Sequence, residues 1–177
     1  MATGLYAVYR ELAEDRGLEM LKFIDRHKTE FAEEIIATPV FKTAFVNVWE
    51  MHIRESSENK RKRLRNFLLN LGRGKKIDPD LHTKIYSVVE QMTDEEAKVF
   101  GSIFRNSNKD MFKQMNLNPT SIFELKEYPE PTIIDICNSL HAYRLLTIRD
   151  NATIGSMVTI QQITSFGELF YNFVCKE

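Results

Sequence analysis

The fold is decided by the stretch Pro131–Val174, which reads PTIIDICNSLHAYRLLTIRDNATIGSMVTIQQITSFGELFYNFV. Apolar residues recur at helical spacing from Pro131 to Tyr143, and this pattern predicts an amphipathic helix. The apolar segment Phe166–Val174 predicts a second helix at the end of the stretch. Between these two helices the spacing changes, so a different kind of structure is expected there.

Two short runs between the helices predict β-strands. Leu145–Arg149 and Met157–Ile163 are rich in β-branched and other apolar residues. The segment that joins them contains Asp150, Asn151 and Gly155, which are residues that favour turns. The resulting order of helix, β-hairpin and helix is the layout of a winged-helix-like unit.

This layout extends toward the N-terminus. A winged helix has two further helices before its recognition helix, and Thr93–Arg105, which opens with a capping-box signature, and Ser121–Tyr128 match these positions. Met111–Leu117 also predicts a short helical segment. We therefore expect a mainly α fold, in which a multi-helical body over residues 1–92 carries a C-terminal winged-helix-like subdomain over residues 93–177. This subdomain contains the one β-hairpin and is expected to pack on the body.

The first part of the helical body is divided by local start and stop signals. Leu5–Ile36 has mostly helical spacing, and a break or kink is expected near Gly17 because glycine is unfavourable in a helix interior. Thr38 can cap the next helix, and Pro39 suits the first helical position because its missing N–H needs no partner there.

The second part of the body begins with the strongly helical pattern of Val40–Leu71. The polar stretch Arg54–Lys62 either bridges one long helix or contains its bend. Gly72 and Gly74 are expected to end this helix. Asp78-Pro79 is expected to start another.

The composition is that of an ordinary globular protein, with 43% apolar and 28% charged residues. No apolar run approaches the ~20 residues that span a bilayer. The segment Met1–Asp15 carries acids where a signal peptide needs a basic flank and an apolar stretch. We therefore expect a cytoplasmic protein with no membrane contact, in which Cys137 and Cys175 stay free thiols.

The net charge of −1 conceals a segregated charge distribution. The segment Lys60–Lys76 holds eight of the 24 basic residues and no acid, so the rest of the chain has 16 basic and 25 acidic residues and a net charge of −9. On a helix whose apolar side centres on Leu64, these cations wrap the solvent side and predict a basic ridge that contacts phosphates. The alternative is that they pair with acids on a neighbouring helix or subunit. The candidate polyanion-binding residues are Lys60, Arg61, Lys62, Arg65, Arg73, Lys75 and Lys76.

The winged-helix layout adds little support to the hypothesis of polyanion binding. The recognition position Pro131–Tyr143 contains Asp135 and no cation before Arg144. Base and phosphate recognition in a groove relies on basic and amide side chains. A packing or protein-contact role is therefore the expectation for this unit.

The sequence contains no recognisable catalytic constellation. Cys137 and His141 are four residues apart on one helical face and could share a zinc ion, but a structural zinc site needs four ligands. We expect Cys137 in the core and His141 at its edge. Gly72-Arg73-Gly74-Lys75 lacks the spacing and the preceding strand of a phosphate-binding loop. No enzymatic activity, metal or other cofactor is expected.

Two phrases resemble the Abi-alpha-type group of bacterial proteins, which is named for a proposed link to abortive phage infection. The first is Thr93-Asp94-Glu95-Glu96-Ala97 followed by Val99-Phe100, and the second is Ile163-Thr164-Ser165-Phe166-Gly167-Glu168-Leu169-Phe170, with Ser165 where Pro is more usual. Lys60-Arg61-Lys62-Arg63-Leu64 is similar to a basic stretch in the helical body of that group, so the likeness covers residues 58–174. The resemblance implies a host or phage-defence role and transfers no catalytic residue.

The sequence thus predicts a non-catalytic binding or regulatory protein that acts through protein–protein contacts, with a protein partner or as a homodimer. Phe41, Phe45, Val48 and Trp49 form an apolar stripe that suits either a core or an interface. The alternative is a nucleic-acid-binding protein that uses the basic segment 60–76.

Overall fold

A computed structural model of the chain describes residues 2–74, 78–107, 117–150 and 158–176. Within these ranges the protein is mainly helical and has one two-stranded antiparallel hairpin near the C-terminal end, which confirms the predicted mainly α fold with a β-hairpin. The chain divides into two compact units, Met1–Gln91 and Met92–Lys176. The elements are α1 (Ala2–His27), α2 (Glu33–Ile36), α3 (Pro39–Arg54), α4 (Glu58–Gly72), α5 (Pro79–Gln91), α6 (Asp94–Asn106), α7 (Glu130–Ala142), β1 (Leu146–Asp150), β2 (Val158–Ile163) and α8 (Ser165–Phe170).

Helix α1 passes through Gly17 without interruption, so the expected break at this position is wrong. Gly17 is buried, and a Cβ placed on it would lie 3.7 Å from Cζ2 of Trp49, so the indole ring packs against this point of the helix. The break falls later, where Lys28–Glu30 forms a 3₁₀ turn before α2. Tertiary packing of the Trp49 ring outweighs the modest helix penalty of one glycine.

Local capping fixes the start of α3 as the sequence predicts. The Oγ1 of Thr38 accepts a hydrogen bond from the backbone N–H of Phe41 at 3.2 Å, and Pro39 occupies the first turn. The hydroxyl thereby satisfies one of the N–H groups that a helix start leaves without a partner.

The bend in the second helical pattern lies inside the expected polar stretch. Helix α3 ends at Arg54, and α4 begins after Ser57, whose hydroxyl accepts from the backbone N–H of Lys60 at 3.1 Å. The carboxylate of Glu55 accepts from the N–H of Ser57 at 2.8 Å and closes the turn between the helices. Of the two alternatives for Arg54–Lys62, the structure therefore has the bend.

Gly72 ends α4 where the chain comes very close to an aromatic ring. A Cβ on Gly72 would collide with the ring of Phe31, and the backbone O of Gly72 accepts from the N–H of Ala32 at 2.9 Å. Gly74 follows with φ of +76°, a left-handed conformation that glycine adopts without strain. The predicted glycine stop is confirmed. The buried apolar side chains of this unit include Met20, Phe41, Ala44, Val48, Met51, Leu64, Phe67, Leu68, Leu69, Leu71, Ile85, Val88 and Val89.

In the second unit, the predicted capping box opens α6. The N–H of Thr93 donates to Oε2 of Glu96 at 2.8 Å, and the N–H of Glu96 donates to Oγ1 of Thr93 at 3.1 Å. Both bonds satisfy donors at the helix start. The buried apolar residues of this unit include Met92, Val99, Phe100, Ile103, Ile122, Leu125, Ile133, Ile136, Cys137, Leu140, Leu145, Leu146, Val158, Ile160, Ile163, Phe170, Phe173 and Val174.

The predicted helical segment Ser121–Tyr128 is replaced by two 3₁₀ turns, Pro119–Ser121 and Phe123–Leu125. Ile122 between them has φ of −73° and ψ of 122°, an extended conformation that prevents the turns from joining into one helix. The second helix of the winged-helix layout is thus not an α-helix. Of the predicted segment Met111–Leu117, residues 111–116 lie outside the described residues.

Leu117 is extended and pairs with the hairpin. Its N–H donates to the backbone O of Ile160 at 3.1 Å, and the N–H of Ile160 donates back at 2.9 Å. Strands β1 and β2 are paired from Leu146 opposite Ile163 to Asp150 opposite Val158, as the strand predictions require. Asp150, expected in the turn, is instead the last residue of β1, and the other expected turn residues, Asn151 and Gly155, lie outside the described residues.

The chain end is held against the start of β1. Oγ1 of Thr164 accepts from the N–H of Gly167 at 2.9 Å and caps α8, and a Cβ on Gly167 would collide with the backbone O of Leu145. Helix α8 continues into a π-helical turn, Tyr171–Cys175, so the predicted final helix is confirmed in outline. Among the described residues, no helix combines the length and the apolar character needed to cross a membrane.

Candidate functional site

The basic segment lies largely on α4, but its two central arginines are tied to carboxylates. Arg61 donates from Nε to Oε2 of Glu19 at 3.1 Å, and Arg65 donates from Nη1 to the other oxygen of the same carboxylate. Both guanidinium groups also bind Glu58. The side chains of Arg61 and Arg65 are only 13% and 12% exposed.

The basic ridge is therefore a wrong prediction for Arg61 and Arg65. The alternative that they pair with acids of a neighbouring helix is confirmed, because Glu19 belongs to α1. Helical periodicity alone places these side chains toward solvent, but it gives no information on the acidic helix that covers them. Nucleic-acid binding through the segment stays a prediction that these contacts do not favour.

The other cations of the segment differ in their pairing and burial. Nζ of Lys60 lies 3.5 Å from Oε2 of Glu55, and Arg73 donates from Nε to Oε2 of Glu30 at 2.9 Å. Arg63 is only 7% exposed. The side chain of Lys62 is exposed, and Lys75 and Lys76 lie outside the described residues. Of the candidate residues that the structure describes, Lys60, Arg61, Arg65 and Arg73 each lie against a carboxylate, so the expected ridge of unpaired cations is not present there.

His52 lies beneath the arginine pair and is fully buried. Its Nε2 is 3.2 Å from Nη1 of Arg65, and its Nδ1 has no hydrogen-bond partner among the residues that the structure describes. Burial, together with the positive charge of Arg61, lowers the pKa of His52 from 6.5 to about 4. The imidazole is therefore neutral at pH 7, and its Nε2 can accept the hydrogen bond from Arg65.

A polar pocket of about 250 Å³ lies between α1 and α4, beside the same arginine. We call it the cationic pocket. Its lining residues are Glu19, Lys22, Phe23, Arg26 and Arg65. The guanidinium carbon of Arg65 lies 5.8 Å from the centre of the Phe23 ring, so the ring supports one face of this cation. Lys22 and Arg26 make no ion pair with any described residue.

Sequence reasoning missed the cationic pocket. Lys22 and Arg26 are one helical turn apart on an otherwise acid-rich segment, so neither stands out in a count of charge along the chain. The available signal was their i, i+4 spacing, which places two like charges on one helix face.

An apolar groove of about 570 Å³ runs between α1 and α3. We call it the α1–α3 groove, and its lining residues are Arg10, Ala13, Glu14, Gly17, Leu18, Leu21, Trp49 and Ile53. Leu18 and Leu21 are each 52% exposed, which is high for large apolar side chains beside a half-buried tryptophan. A water-exposed apolar groove of this kind is typical of an interaction surface.

The predicted apolar stripe on α3 divides between core and surface. Phe41 and Val48 are buried, whereas Phe45 and Trp49 stay partly exposed. The ring centres of Phe45 and Trp49 lie 5.9 Å apart in a stacked arrangement. Phe41 and Val48 therefore belong to the core, whereas Phe45 and Trp49 contribute to the surface.

A second apolar pocket has a volume of about 240 Å³. Its walls include Phe31, Phe41 and Phe45, and Ile36 at its edge is 38% exposed. Among its described lining residues, only Lys28 is ionisable, and it pairs with Asp25 at 3.0 Å. Apart from Lys28, the side chains that line this pocket in the described part of the chain are all apolar.

Cys137 and His141, the two residues considered as zinc ligands, lie in different environments. Cys137 is buried, and burial raises the pKa of its thiol to about 12. His141 is exposed, and its Nδ1 lies 3.0 Å from the backbone O of Leu146. Within the described ranges, no group of three or more His, Cys, Asp or Glu side chains is placed to hold a metal ion.

Comparisons of this chain with protein-family models, with curated proteins and with solved structures find no match.

Proposed function

We propose that this protein is a binding protein that acts through the α1–α3 groove, and that the occupant of the groove is the same face of a second copy. The observation that carries the proposal is the exposure of Leu18 and Leu21, 52% each, next to the half-buried Trp49. Covering such a surface removes apolar area from water and favours association.

The charges at the groove edges favour a second copy over a partner of one sign. On α1, Arg10 and Glu14 form an ion pair of 2.7 Å at the groove wall. A two-fold contact requires a self-complementary surface, and edges that carry both signs meet this requirement.

The oligomeric state in solution tests the proposal. We expect light scattering during gel filtration to give the mass of a dimer at micromolar concentration, and we expect Leu21→Glu to give a monomer. Leu12→Glu is the matched control, because Leu12 is a 46% exposed leucine of the same helix that does not line the groove. This variant should remain a dimer.

Two outcomes would contradict the proposal. One is a wild-type protein that is monomeric up to a concentration of hundreds of micromolar. The other is a dimer that Leu21→Glu leaves intact. Circular dichroism of each variant shows whether α-helical structure is retained, so that dissociation is not confused with unfolding.

The resemblance to the Abi-alpha-type group supports phage defence as the setting of this contact. Expression of the wild-type protein should lower the efficiency of phage plating, and Leu21→Glu should restore it if dimerisation is required. Equal plating with wild type, with Leu21→Glu and with an empty vector would remove this setting and leave the dimer unaffected.

A further inference from the structure

We propose that the cationic pocket binds the phosphate group of a small phosphomonoester. The pocket brings Lys22 and Arg26 of α1 together with Arg65 of α4 around a space of about 250 Å³. These residues are separate from the α1–α3 groove, so the inference is independent of the proposed dimer.

The groups that hold Arg65 in position use only some of the N–H donors of its guanidinium group. Its Nη1 contacts Glu19 and His52, and its Nη2 donates to Glu58 at 2.8 Å. A guanidinium group has five N–H donors, so the Nε proton and one Nη2 proton have no partner among the described residues. Two donors in fixed geometry suit the oxygens of a phosphate.

Lys22 and Arg26 supply charge that the described residues do not neutralise. They lie at i and i+4 on one face of α1, where two like charges repel each other. Asp25, which precedes Arg26 in the sequence, pairs instead with Lys28 at 3.0 Å, and Glu19, three residues before Lys22, pairs with Arg61 and Arg65. An anion between Lys22 and Arg26 would relieve the repulsion.

The charge balance of the pocket selects the class of anion. Arg61, Arg65, Lys22 and Arg26 are opposed by two carboxylates, Glu19 and Glu58, which leaves a net charge of +2. The buried His52 is neutral and adds no charge to this sum. A phosphomonoester carries about −1.5 to −2 at pH 7 and balances this charge. A phosphodiester or a single carboxylate carries about −1 and does not.

The volume of the pocket limits the size of the ligand. Pockets for drug-sized molecules have volumes of about 300–1,000 Å³, and this one has about 250 Å³. A phosphate group with a short organic part therefore fits better than a nucleotide.

Calorimetric titration with glycerol 3-phosphate at low salt tests the inference, with inorganic phosphate, acetate and a short DNA duplex as further probes. We expect glycerol 3-phosphate and phosphate to bind, acetate not to bind, and affinity to fall as the concentration of sodium chloride rises. The variant Lys22→Gln/Arg26→Gln should weaken binding of glycerol 3-phosphate at least tenfold.

The matched control is Lys42→Gln/Lys84→Gln, which removes the same charge from two exposed lysines that do not line the pocket. It should bind glycerol 3-phosphate within twofold of the wild type. Because Lys22 and Arg26 are themselves exposed, the test variant should keep the wild-type circular dichroism. The inference is overturned if no probe binds at millimolar concentration, if both double variants lose affinity equally, or if the DNA duplex binds more tightly than glycerol 3-phosphate.

Discussion

Glu19 of α1 and Arg65 of α4 form an ion pair although they lie 46 residues apart in the sequence. The same carboxylate accepts a hydrogen bond from Arg61 at 3.1 Å, and Glu58 binds both guanidinium groups from the other side. Arg65 is 12% exposed and Glu19 is 33% exposed, so solvent screens this pairing less than it screens a surface ion pair. The two arginines thereby fix α1 on α4.

Replacing Glu19 with Gln should lower the free energy of unfolding by about 1–3 kcal/mol, as measured by urea denaturation. Breaking a fully buried ion pair costs about 3–5 kcal/mol, and a pair at the surface contributes about 0–1 kcal/mol. Glu19 lies between these limits because a third of its side chain is exposed while both of its arginine partners are mostly buried.

The control for this change is Asp25→Asn on the same helix. Asp25 is 77% exposed and pairs with Lys28, which is also exposed. Its removal should change the free energy of unfolding by no more than about 0.5 kcal/mol. Equal losses in the two variants would show that Glu19 contributes no more than a surface charge.

His52 should make stability depend on pH in a defined direction. Burial first, and the charge of Arg61 second, lower its pKa from 6.5 to about 4. Above pH 6.5 the imidazole is neutral in the folded and the unfolded chain. Between about pH 6.5 and pH 4 only the unfolded chain takes up the proton, so the free energy of unfolding decreases as the pH falls. This decrease is complete below pH 4 and is on the order of 3 kcal/mol.

His52→Gln tests this dependence because glutamine can accept a hydrogen bond from Arg65 but does not titrate. The free energy of unfolding of wild type, minus that of the variant, should decrease between pH 7 and pH 4. Burial also lowers the pKa of His82, but His82 is present in both proteins and its effect cancels in the difference. Parallel stability curves for the two proteins over this range would disprove the assignment.

Local signals of the sequence predicted the element boundaries well where the responsible groups are neighbours in the chain. Thr38 with Pro39, and Thr93 with Glu96, form their caps within one helical turn, so residue type and spacing are sufficient. The predicted β1, Leu145–Arg149, lies one residue before the observed strand, and the predicted end of β2 at Ile163 is correct. The break in the first helix was wrongly predicted near Gly17. The packing of Trp49 on Gly17 is a contact between two helices, and local signals in the sequence do not show it.

The candidate site could be predicted only in part. The apolar character of Phe45 and Trp49 was visible in the sequence, but their partial exposure depends on how α1 lies beside α3. The basic segment was visible as well, yet its arginines lie against Glu19, an acid more than 40 residues away. Exposure and neutralisation of charge are tertiary properties, and a single sequence shows neither.

Two glycines of the first unit should respond in opposite ways to replacement by alanine. At Gly17 a Cβ would lie 3.7 Å from the Trp49 ring, an ordinary contact, so Gly17→Ala should raise the free energy of unfolding by up to about 1 kcal/mol through helix propensity. At Gly72 a Cβ would collide with the ring of Phe31, so Gly72→Ala should lower it by about 1–3 kcal/mol.

A double variant identifies the clash as the cause. Adding Phe31→Ala to Gly72→Ala should cost less than the sum of the two separate losses, because the colliding ring is gone. Urea denaturation of the four proteins in this cycle provides the measurement. Strict additivity, or a destabilised Gly17→Ala, would show that the packing of these two glycines differs from the structure described.

The two cysteines should differ strongly in reactivity. Cys137 is buried in the core of the second unit, and burial raises the pKa of its thiol to about 12, so almost no thiolate is present at pH 8. Cys175 is only partly buried, near the end of the chain.

We expect Ellman's reagent to modify one thiol of the folded protein and both thiols in guanidinium chloride. Cys175→Ser should abolish the reaction of the folded protein, whereas Cys137→Ser should leave it unchanged if the smaller, more polar side chain is tolerated in the core. Rapid labelling of folded Cys175→Ser would mean that Cys137 is accessible, and the packing described for α7 would then be incorrect.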